Sequence, residues 1–499
     1  MTEPARPSLL VLGMGRSGLA LARWGARQGY AVTVADTRDD AALQQALMAA
    51  VAQAQQYIGP LDHALWQRAA WAQVWRSPGL SPAQTQAIDQ AAAAAGVPVL
   101  GELDVFVQAL AQHAPAEVPA PAVLAVTGTN GKTTVASLTA HLLRGAGFDV
   151  ALAGNVGPTL LEVLQLCLDE ARWPRVWVLE LSSFQLAIAQ PLSATAAVWL
   201  NLTEDHLDWH GDMQAYAQAK QRVFGPGTER ILCRDDAWLR QHHWAPALAA
   251  TAKPRRRGGA APVVSFGVDL PTRPGDWGMD NRQGMPWLVR AHPDADPQAE
   301  VMPLQQLMPA AALRIEGLHN ASNALAALAL ATRAGAPLAP MLRALRAYAG
   351  EPHRVRPVAT LDDVVYIDDS KGTNVGATCA ALHGLGAQRR VVVILGGDGK
   401  GQYFSPLLAP IQQTARGVVL IGRDAPQLAD VLQPSRVPCV QANDMNQAVQ
   451  QARAMAQPGD AVLLSPACAS FDMYRNYVHR AEAFAQAVQQ LATEQGVVC

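Results

Sequence analysis

Val123-Leu-Ala-Val126, continued by Thr127-Gly-Thr-Asn-Gly-Lys-Thr-Thr134, is the stretch whose reading decides the fold. An apolar run closed by a Gly-rich turn and followed by the helix-forming Val135 to Leu143 reads as buried strand, turn and helix. The N–H groups of such a turn converge on one point at a helix N-terminus, where the helix dipole adds positive potential, and that point suits phosphate. Lys132 is expected to reach the terminal phosphates and the Thr133 hydroxyl to take a Mg2+ ion. The general spacing GxxxxGK[ST] is not met, because Val126 stands five before Gly131. The turn is a shorter variant. A ligand-free turn is the bland alternative, but it leaves the Lys-Thr pair without a reason.

The same alternation of short apolar runs with Ala- and Leu-rich stretches extends both ways, as strands alternate with helices in parallel sheets. It falls into three blocks. The first opens with Leu9-Leu-Val-Leu12 and Ala31-Val-Thr-Val-Ala35 and ends at the Pro/Ala-rich linker His113 to Pro121. The second contains Val176-Trp-Val-Leu-Glu180 and Ala196-Ala-Val-Trp-Leu200. Its polar stretches Lys253 to Pro262 and Pro271 to Pro297 are expected to be surface insertions. The third follows Tyr348 to Pro352, with strands at Val364 to Ile367, Val391 to Leu395, Val418 to Ile421 and Ala461 to Leu464. The expected fold is α/β in three domains: a Rossmann-like domain over 1–115, a central P-loop ATPase-like parallel sheet over 116–350, and a Rossmann-like domain over 351–499.

A chain of 499 residues agrees with that division at about 100 to 200 residues per domain. Lys+Arg 39 against Asp+Glu 41 gives a net charge of −2, so no basic field points to nucleic acid or an anionic membrane. The first residues lack a signal peptide's basic start and cleavage site, and no apolar segment is long enough to span a bilayer. A cytoplasmic protein is expected. The six cysteines form no CxxC pair and read as ordinary reduced thiols.

Gly13-Met-Gly-Arg-Ser-Gly18 also follows a strand, and Asp36 ends the next one, 18 residues after Gly18. This is the dinucleotide fingerprint, with an acid positioned for a ribose hydroxyl. An NAD(P)-dependent dehydrogenase is one reading of it. A non-redox nucleotide diphosphate is another, because the geometry recognises pyrophosphate with a ribose or base edge.

Strand ends of the second block carry Asn155, Glu180, Ser182, Ser183, Thr203, Glu204, Asp205, His206 and Asp208. Carboxylates and a neutral imidazole facing the crevice of a phosphate loop can hold Mg2+. The alternatives are a structural histidine at His206 and a helix-capping role for Thr203 and Asp205. In the third block Ile367-Asp-Asp-Ser-Lys-Gly-Thr-Asn374, Gly396-Gly-Asp-Gly-Lys400 and Ser465-Pro-Ala-Cys-Ala-Ser-Phe-Asp472 each follow a strand. Lys371, Lys400 and the hydroxyls of Thr373 and Ser470 would form a cationic pocket suited to a small dicarboxylate.

Taken together, TGTNGKTT, LELSSFQL (Leu179 to Leu186), NLTEDHLD (Asn201 to Asp208), HNASNALAA (His319 to Ala327), His353-Arg354, DSKGTN, GGDGK and SPACASFD resemble the Mur ligases, in particular their D-glutamate-adding branch. The resemblance covers Leu9 to about Phe484 and implies an ATP-dependent ligase of cell-wall precursor synthesis, with UDP-N-acetylmuramoyl-L-alanine and D-glutamate as substrates. It places Gly15, Arg16, Ser17, Asp36, Thr37, Arg38, Ser77, Gly79, Asn155 and His206 on the UDP-substrate. Gly128, Thr129, Asn130, Gly131, Lys132, Thr133, Thr134, Asn320, Asn323, Arg354 and Asp369 go to ATP, with His319 nearby. Lys371, Thr373, Lys400, Ser470, Phe471 and Tyr477 go to D-glutamate. It also implies two Mg2+ sites among Thr133, Glu180, His206 and Lys220, the last as a carbamylated lysine; composition alone makes Lys220 a surface helix residue. Lys132, Glu180, His206 and Lys220 are the implied catalytic set. A monomer is expected. Departures from the family's pattern are Tyr477 and His479, where Phe and an acidic or amide residue are commoner, and Gly372 in place of Ala. An Asp-Asn-Pro-Arg signature of the diamino-acid-adding branch is absent. Sister ligases and a non-enzymatic nucleotide switch are the remaining alternatives.

Overall fold

The computed structural model describes residues 6–155, 157–244, 263–315, 317–386 and 388–494. Three sheets follow one another along the chain. Sheet one has the order β3-β2-β1-β4-β5, from β1 (Ser8–Leu12), β2 (Ala31–Asp36), β3 (Gln55–Ile58), β4 (Trp71–Arg76) and β5 (Val99–Gly101), all parallel. The chain reverses direction across the sheet between β1 and β4, which opens a crevice at their carboxyl ends. There Gly13 lies so close to Ser77 that an added Cβ would sit 2.8 Å from the serine's Cβ.

The central sheet runs β14-β13-β12-β11-β10-β9-β6-β8-β7. Its strands are β6 (Ala122–Thr127), β7 (Val150–Gly154), β8 (Val176–Glu180), β9 (Ala196–Trp199), β10 (Glu229–Cys233), β11 (Val263–Phe266), β12 (Trp277–Arg282), β13 (Met285–Ala291) and β14 (Leu304–Pro309). Leu124, Ala125 and Val126 of β6 are wholly buried because helices cover both faces, which is why this strand reads as an unbroken apolar run. The region Pro271 to Pro297 is not a surface insertion. It supplies β12 and all of β13, an antiparallel pair in the sheet, with Trp277 fully buried. Lys253 to Pro262 lies outside the described residues.

Sheet three has the order β15-β16-β20-β17-β18-β19, from β15 (Arg356–Leu361), β16 (Val364–Asp368), β17 (Val391–Gly396), β18 (Ala415–Ile421), β19 (Cys439–Gln441) and β20 (Ala461–Leu464). Because β20 inserts between β16 and β17, the loops that follow these three strands stand side by side.

Apolar packing divides the molecule differently from the sheets. One face of sheet one and the central sheet belong to a single hydrophobic core that runs from Leu9 to Tyr348, and sheet three has cores of its own. Phe106 and Trp177 meet edge to face at 5.1 Å across the first junction. Truncating a ring so buried costs about 3–5 kcal/mol. Among the described residues no helix is long and apolar enough to cross a membrane.

Candidate active site

The phosphate loop leaves the end of β6 with Gly128 and Gly131 at φ +158° and +81°, and Gly131 caps the helix Lys132–Gly145. The second value lies in the left-handed region, where glycine is favoured. An added Cβ at Gly131 would sit 2.8 Å from Asn323 Oδ1, so Asn323 packs directly beneath the turn. Asn201 clamps the loop from β9. Its Oδ1 accepts from Asn130 N at 2.8 Å, and its Nδ2 donates to Asn130 O at 3.1 Å. The Thr129 hydroxyl donates to Thr203 O at 3.1 Å and accepts from Thr203 N at 3.0 Å.

Lys132 does not reach outward. Its Nζ donates to Gly128 O at 3.0 Å and Thr129 O at 2.7 Å, so the loop's own carbonyls hold it. Burial depresses its pKa, against the pull of Glu180 and Asp205. Lys220 is not a surface residue either. It is 1% exposed on the helix Met213–Gln221 and donates to the same Gly128 O at 2.8 Å, with its ammonium 4.5 Å from the Tyr216 ring centre. Burial and the neighbouring Lys132 charge push its pKa well below the ordinary lysine value. Burial thereby shifts the balance toward the uncharged amine, the form that reacts with electrophiles.

Glu180, buried at the end of β8, accepts from Asn155 Nδ2 at 3.2 Å. His206 stands at φ +58° with its Nε2 3.5 Å from Asp205, and burial lowers its pKa. The shift favours the neutral imidazole, the form a metal ligand requires. Ser182 is spent otherwise, since its hydroxyl and Gln185 form a capping box for the helix Ser183–Ile188. Thr203 and Asp205 cap no helix; Asp212 caps the helix that carries Lys220. Among the described residues no three His, Cys, Asp or Glu side chains form a ready metal cage. Glu180, His206 and the Thr133 hydroxyl are separate oxygen and nitrogen donors around the loop, a set that fits an ion completing its shell with phosphate oxygens.

The third domain closes onto this loop. Arg354 Nη2 and Lys371 Nζ both lie 3.2 Å from Thr133 Oγ1. Asn374 Nδ2 donates to Asn130 Oδ1 at 3.0 Å and to Asp205 at 3.3 Å. Beside the contact lies a cavity of about 440 Å3 lined by Asn130, Leu200, Phe266, Ile315, His319, Asn320, Asn323, Arg354 and Asp369. Its apolar walls and polar rim suit a nucleoside. Asp235 and Asp236 also line it. Sequence reasoning passed them over, although an acid pair one residue past β10 is a readable signal. Asp369 is buried and accepts from Ser465 Oγ at 2.6 Å, and burial lifts its pKa to about 7. Burial and the nearby Arg354 charge bring Lys371 down to about 8. His319, wedged against Gly317 and Gly384, is held near 4 by burial.

The remaining amine-site candidates lie on the neighbouring segments that follow β16, β17 and β20. The Lys371 ammonium lies 5.4 Å from the Tyr477 ring centre, Ser470 is buried, and Phe471 is exposed on the same loop. Lys400, exposed at φ +53°, is near enough to His206 to depress the imidazole's pKa. Thr373 N donates to Lys371 O at 2.9 Å, which ties it into the same turn.

At the first domain, Gly15 caps the helix Arg16–Arg27. Arg16 donates to Glu162 at 3.2 Å and packs against Gly157, linking that helix to the central domain next to Asn155. Asp36 is not free for a ribose. Its carboxylate accepts from Met14 N at 2.7 Å, Arg38 N at 2.9 Å and the Arg38 guanidinium at 3.0 and 2.8 Å. Burial alone would raise its pKa, but these bonds bring it to about 2. Ser77 packs on Gly13 in the loop that also holds Gly79, Thr37 directly follows β2, and Ser17 lies in the first turn of the helix Arg16–Arg27, all on sheet one and well away from the phosphate loop in sequence.

Comparison with known proteins bears on this three-part arrangement. The profile "Mur ligase MurD-like, N-terminal domain" matches residues 7–101, "Mur ligase middle domain" residues 126–252, and "Mur ligase, glutamate ligase domain" residues 353–468. A curated protein of Albidiferax ferrireducens, "UDP-N-acetylmuramoylalanine--D-glutamate ligase", is 52% identical over 98% of this chain and 97% of its own length. The chain belongs to the Mur ligases. A Ralstonia nicotianae protein of the same name is 52% identical over 99% of both chains. This Mur ligase shares its fold with the solved MurF ligase from Thermotoga maritima in complex with ADP, at TM-score 0.58 and 15% identity over 98% of this chain and 96% of that one. The UDP-N-acetylmuramate-alanine ligase MurC of the same organism aligns at TM-score 0.56 and 17% identity, over 97% and 99%. Family membership removes the dehydrogenase reading of the first glycine loop. The Mur ligase is an ATP-dependent enzyme that forms an amide bond.

Proposed function

We propose that this Mur ligase joins D-glutamate to UDP-N-acetylmuramoyl-L-alanine, with ATP activating the alanyl carboxylate. Supporting this are full-length relatives of that name at 52% identity and, above all, the 3.2 Å contact between Lys371 of the amine-site loop and Thr133 of the phosphate loop. That contact puts the group suited to an incoming dicarboxylate against the hydroxyl suited to the Mg2+ that accompanies the terminal phosphates. We divide the chain at 1–115, 116–350 and 351–499. The first part takes the UDP moiety, the junction of the second and third takes ATP, and the third takes D-glutamate.

An amide does not form from a free carboxylate in water, so the acid first needs a leaving group. In our reading the alanyl carboxylate oxygen attacks the γ-phosphorus, the bond to the β-phosphate oxygen breaks, and ADP departs. The D-glutamate amine then attacks the acyl carbon, the carbon–oxygen bond to phosphate breaks, and phosphate and a proton are released. No protein nucleophile is needed. Lys132, Lys371 and Arg354 offset the charge on the transferring phosphoryl group, and closure of the third domain aligns the amine. Asn155 and His206 orient the acyl end of the UDP-substrate, while Gly15, Arg16 and Ser17 receive the diphosphate. Two Mg2+ ions, held by Thr133 and Glu180 and by His206 with a carbamylated Lys220, would neutralise phosphate charge when bound. The Lys220 amine adds to the carbon of CO2 and loses a proton, leaving a carbamate oxygen donor. We assign the enzyme to the cytoplasm, where ATP and sugar nucleotides are held, and treat it as a monomer because one chain supplies every part of the site.

The test is phosphate release from ATP with the UDP-substrate present, comparing D-glutamate with L-glutamate, L-lysine and meso-diaminopimelate. Release that depends on D-glutamate, with a product heavier by one glutamyl residue, is expected. Selectivity for another amine would overturn the assignment.

A further inference from the structure

The helix Tyr477–Glu494 carries a guanidinium into the interior of the third domain. Arg480 is 1% exposed, and its donors go to neutral oxygens. Nε donates to Ser370 Oγ at 3.0 Å, Nη2 to Ser370 O at 2.8 Å, and Nη1 to Cys468 O at 3.1 Å. Ser370 Oγ in turn donates to Tyr477 O at 2.8 Å. Burying a cation without a hydrogen-bonded counter-ion is expensive, and an apolar side chain of similar volume would fill the space at lower cost. Burial brings the Arg480 pKa down to about 10, so the group still carries its charge at neutral pH.

What the guanidinium holds explains the expense. Ser370 immediately precedes Lys371, Cys468 lies just before Ser470, and Tyr477 is reached through the Ser370 hydroxyl. A planar fork with fixed donor directions can fix two loops and a helix start relative to one another, which a flexible ammonium cannot do. We propose that Arg480 is a positioning residue for the incoming amino acid, setting the spacing of Lys371, Ser470 and Tyr477 without itself touching the substrate. The inference rests on the D-glutamate assignment of that pocket and goes beyond it.

Arg480→Lys keeps the charge and loses the fork. Ser370→Ala removes only the shared hydroxyl, and it decides the matter if Arg480→Lys does not fold. Expected for both is a rise in KM for D-glutamate, about tenfold or more for Arg480→Lys and smaller for Ser370→Ala. KM for ATP and for the UDP-substrate should stay within about twofold of wild type. An unchanged KM for D-glutamate in the folded variants, or a parallel shift of all three constants, would overturn the proposal. Ser470→Ala separates this inference from the reading it rests on. If Ser470→Ala leaves the KM for D-glutamate unchanged, the pocket assignment falls, and the inference with it. If Ser470→Ala raises that KM while Arg480→Lys and Ser370→Ala do not, only the role of Arg480 is lost.

Discussion

Lys132 and Lys220 point at one acceptor, the carbonyl oxygen of Gly128, from 3.0 and 2.8 Å. Two ammonium groups around one neutral oxygen repel each other, and the more deeply enclosed one is the cheaper to discharge. Lys220 is that one. Carbon dioxide should therefore add to it selectively. With 13C-labelled bicarbonate the enzyme should show a carbamate resonance that Lys220→Arg lacks, and the variant should lose activity by about 10–100-fold, as metal-site support residues do. A fully active enzyme with no such resonance would remove Lys220 from the mechanism.

In the proposed mechanism Lys132 has the opposite task, presenting its charge to the phosphates. Lys132→Ala should lower kcat by at least about 100-fold, while thermal unfolding stays within a few degrees of wild type. Full activity in that variant would void the phosphate-loop assignment.

Asp369 supplies a pH signature. Its carboxyl titrates near 7 when folded, against 3.8 ordinarily, because burial disfavours the anion. Between those values the native state holds a proton that the unfolded chain has released, so this group's contribution to stability is complete below about pH 4 and is lost as pH rises through about 7. In nucleotide-free protein the Tm of Asp369→Asn relative to wild type should climb across that window and level off above it. A difference independent of pH would show that the burial of Asp369 does not govern its titration.

Gly376 tests closure. A Cβ there would sit 3.0 Å from Asn130 Nδ2 and 3.1 Å from Thr203 Oγ1, on the seam between the central and third domains. Gly376→Val should wedge the seam open and lower kcat by up to about 100-fold through misalignment, with Tm little changed and the radius of gyration in the presence of ATP larger than that of wild type. Unimpaired turnover would mean that this seam is not the catalytic contact.

Much of this is legible in the sequence. Apolar runs ending in Gly or Asp gave the strands, and polar residues just past them gave the loops around Thr133, Lys371 and Ser470, because strand-end position and chemistry are both local properties. Three things were not local. Pro271 to Pro297 has the composition of a loop, and only its partner strand makes Trp277 a core residue. Asp36 matched a ribose-binding pattern, yet Arg38 two residues on consumes it, a competition that spacing does not reveal. Arg480 stands among Ala and polar residues on an amphipathic helix, and the acceptors that give it a purpose lie 12 and 110 residues away.

Among the described residues apolar packing is continuous between sheet one and the central sheet and breaks before sheet three, which marks the latter boundary as the working joint. The UDP-substrate would lie along a rigid bench made of both, its acid end fixed at the phosphate loop whatever the rest of the molecule does. The amino acid would travel with the remaining piece, so each swing of that arm would deliver or withdraw the amine as a unit, and the nucleotide at the seam would set how long the arm stays down.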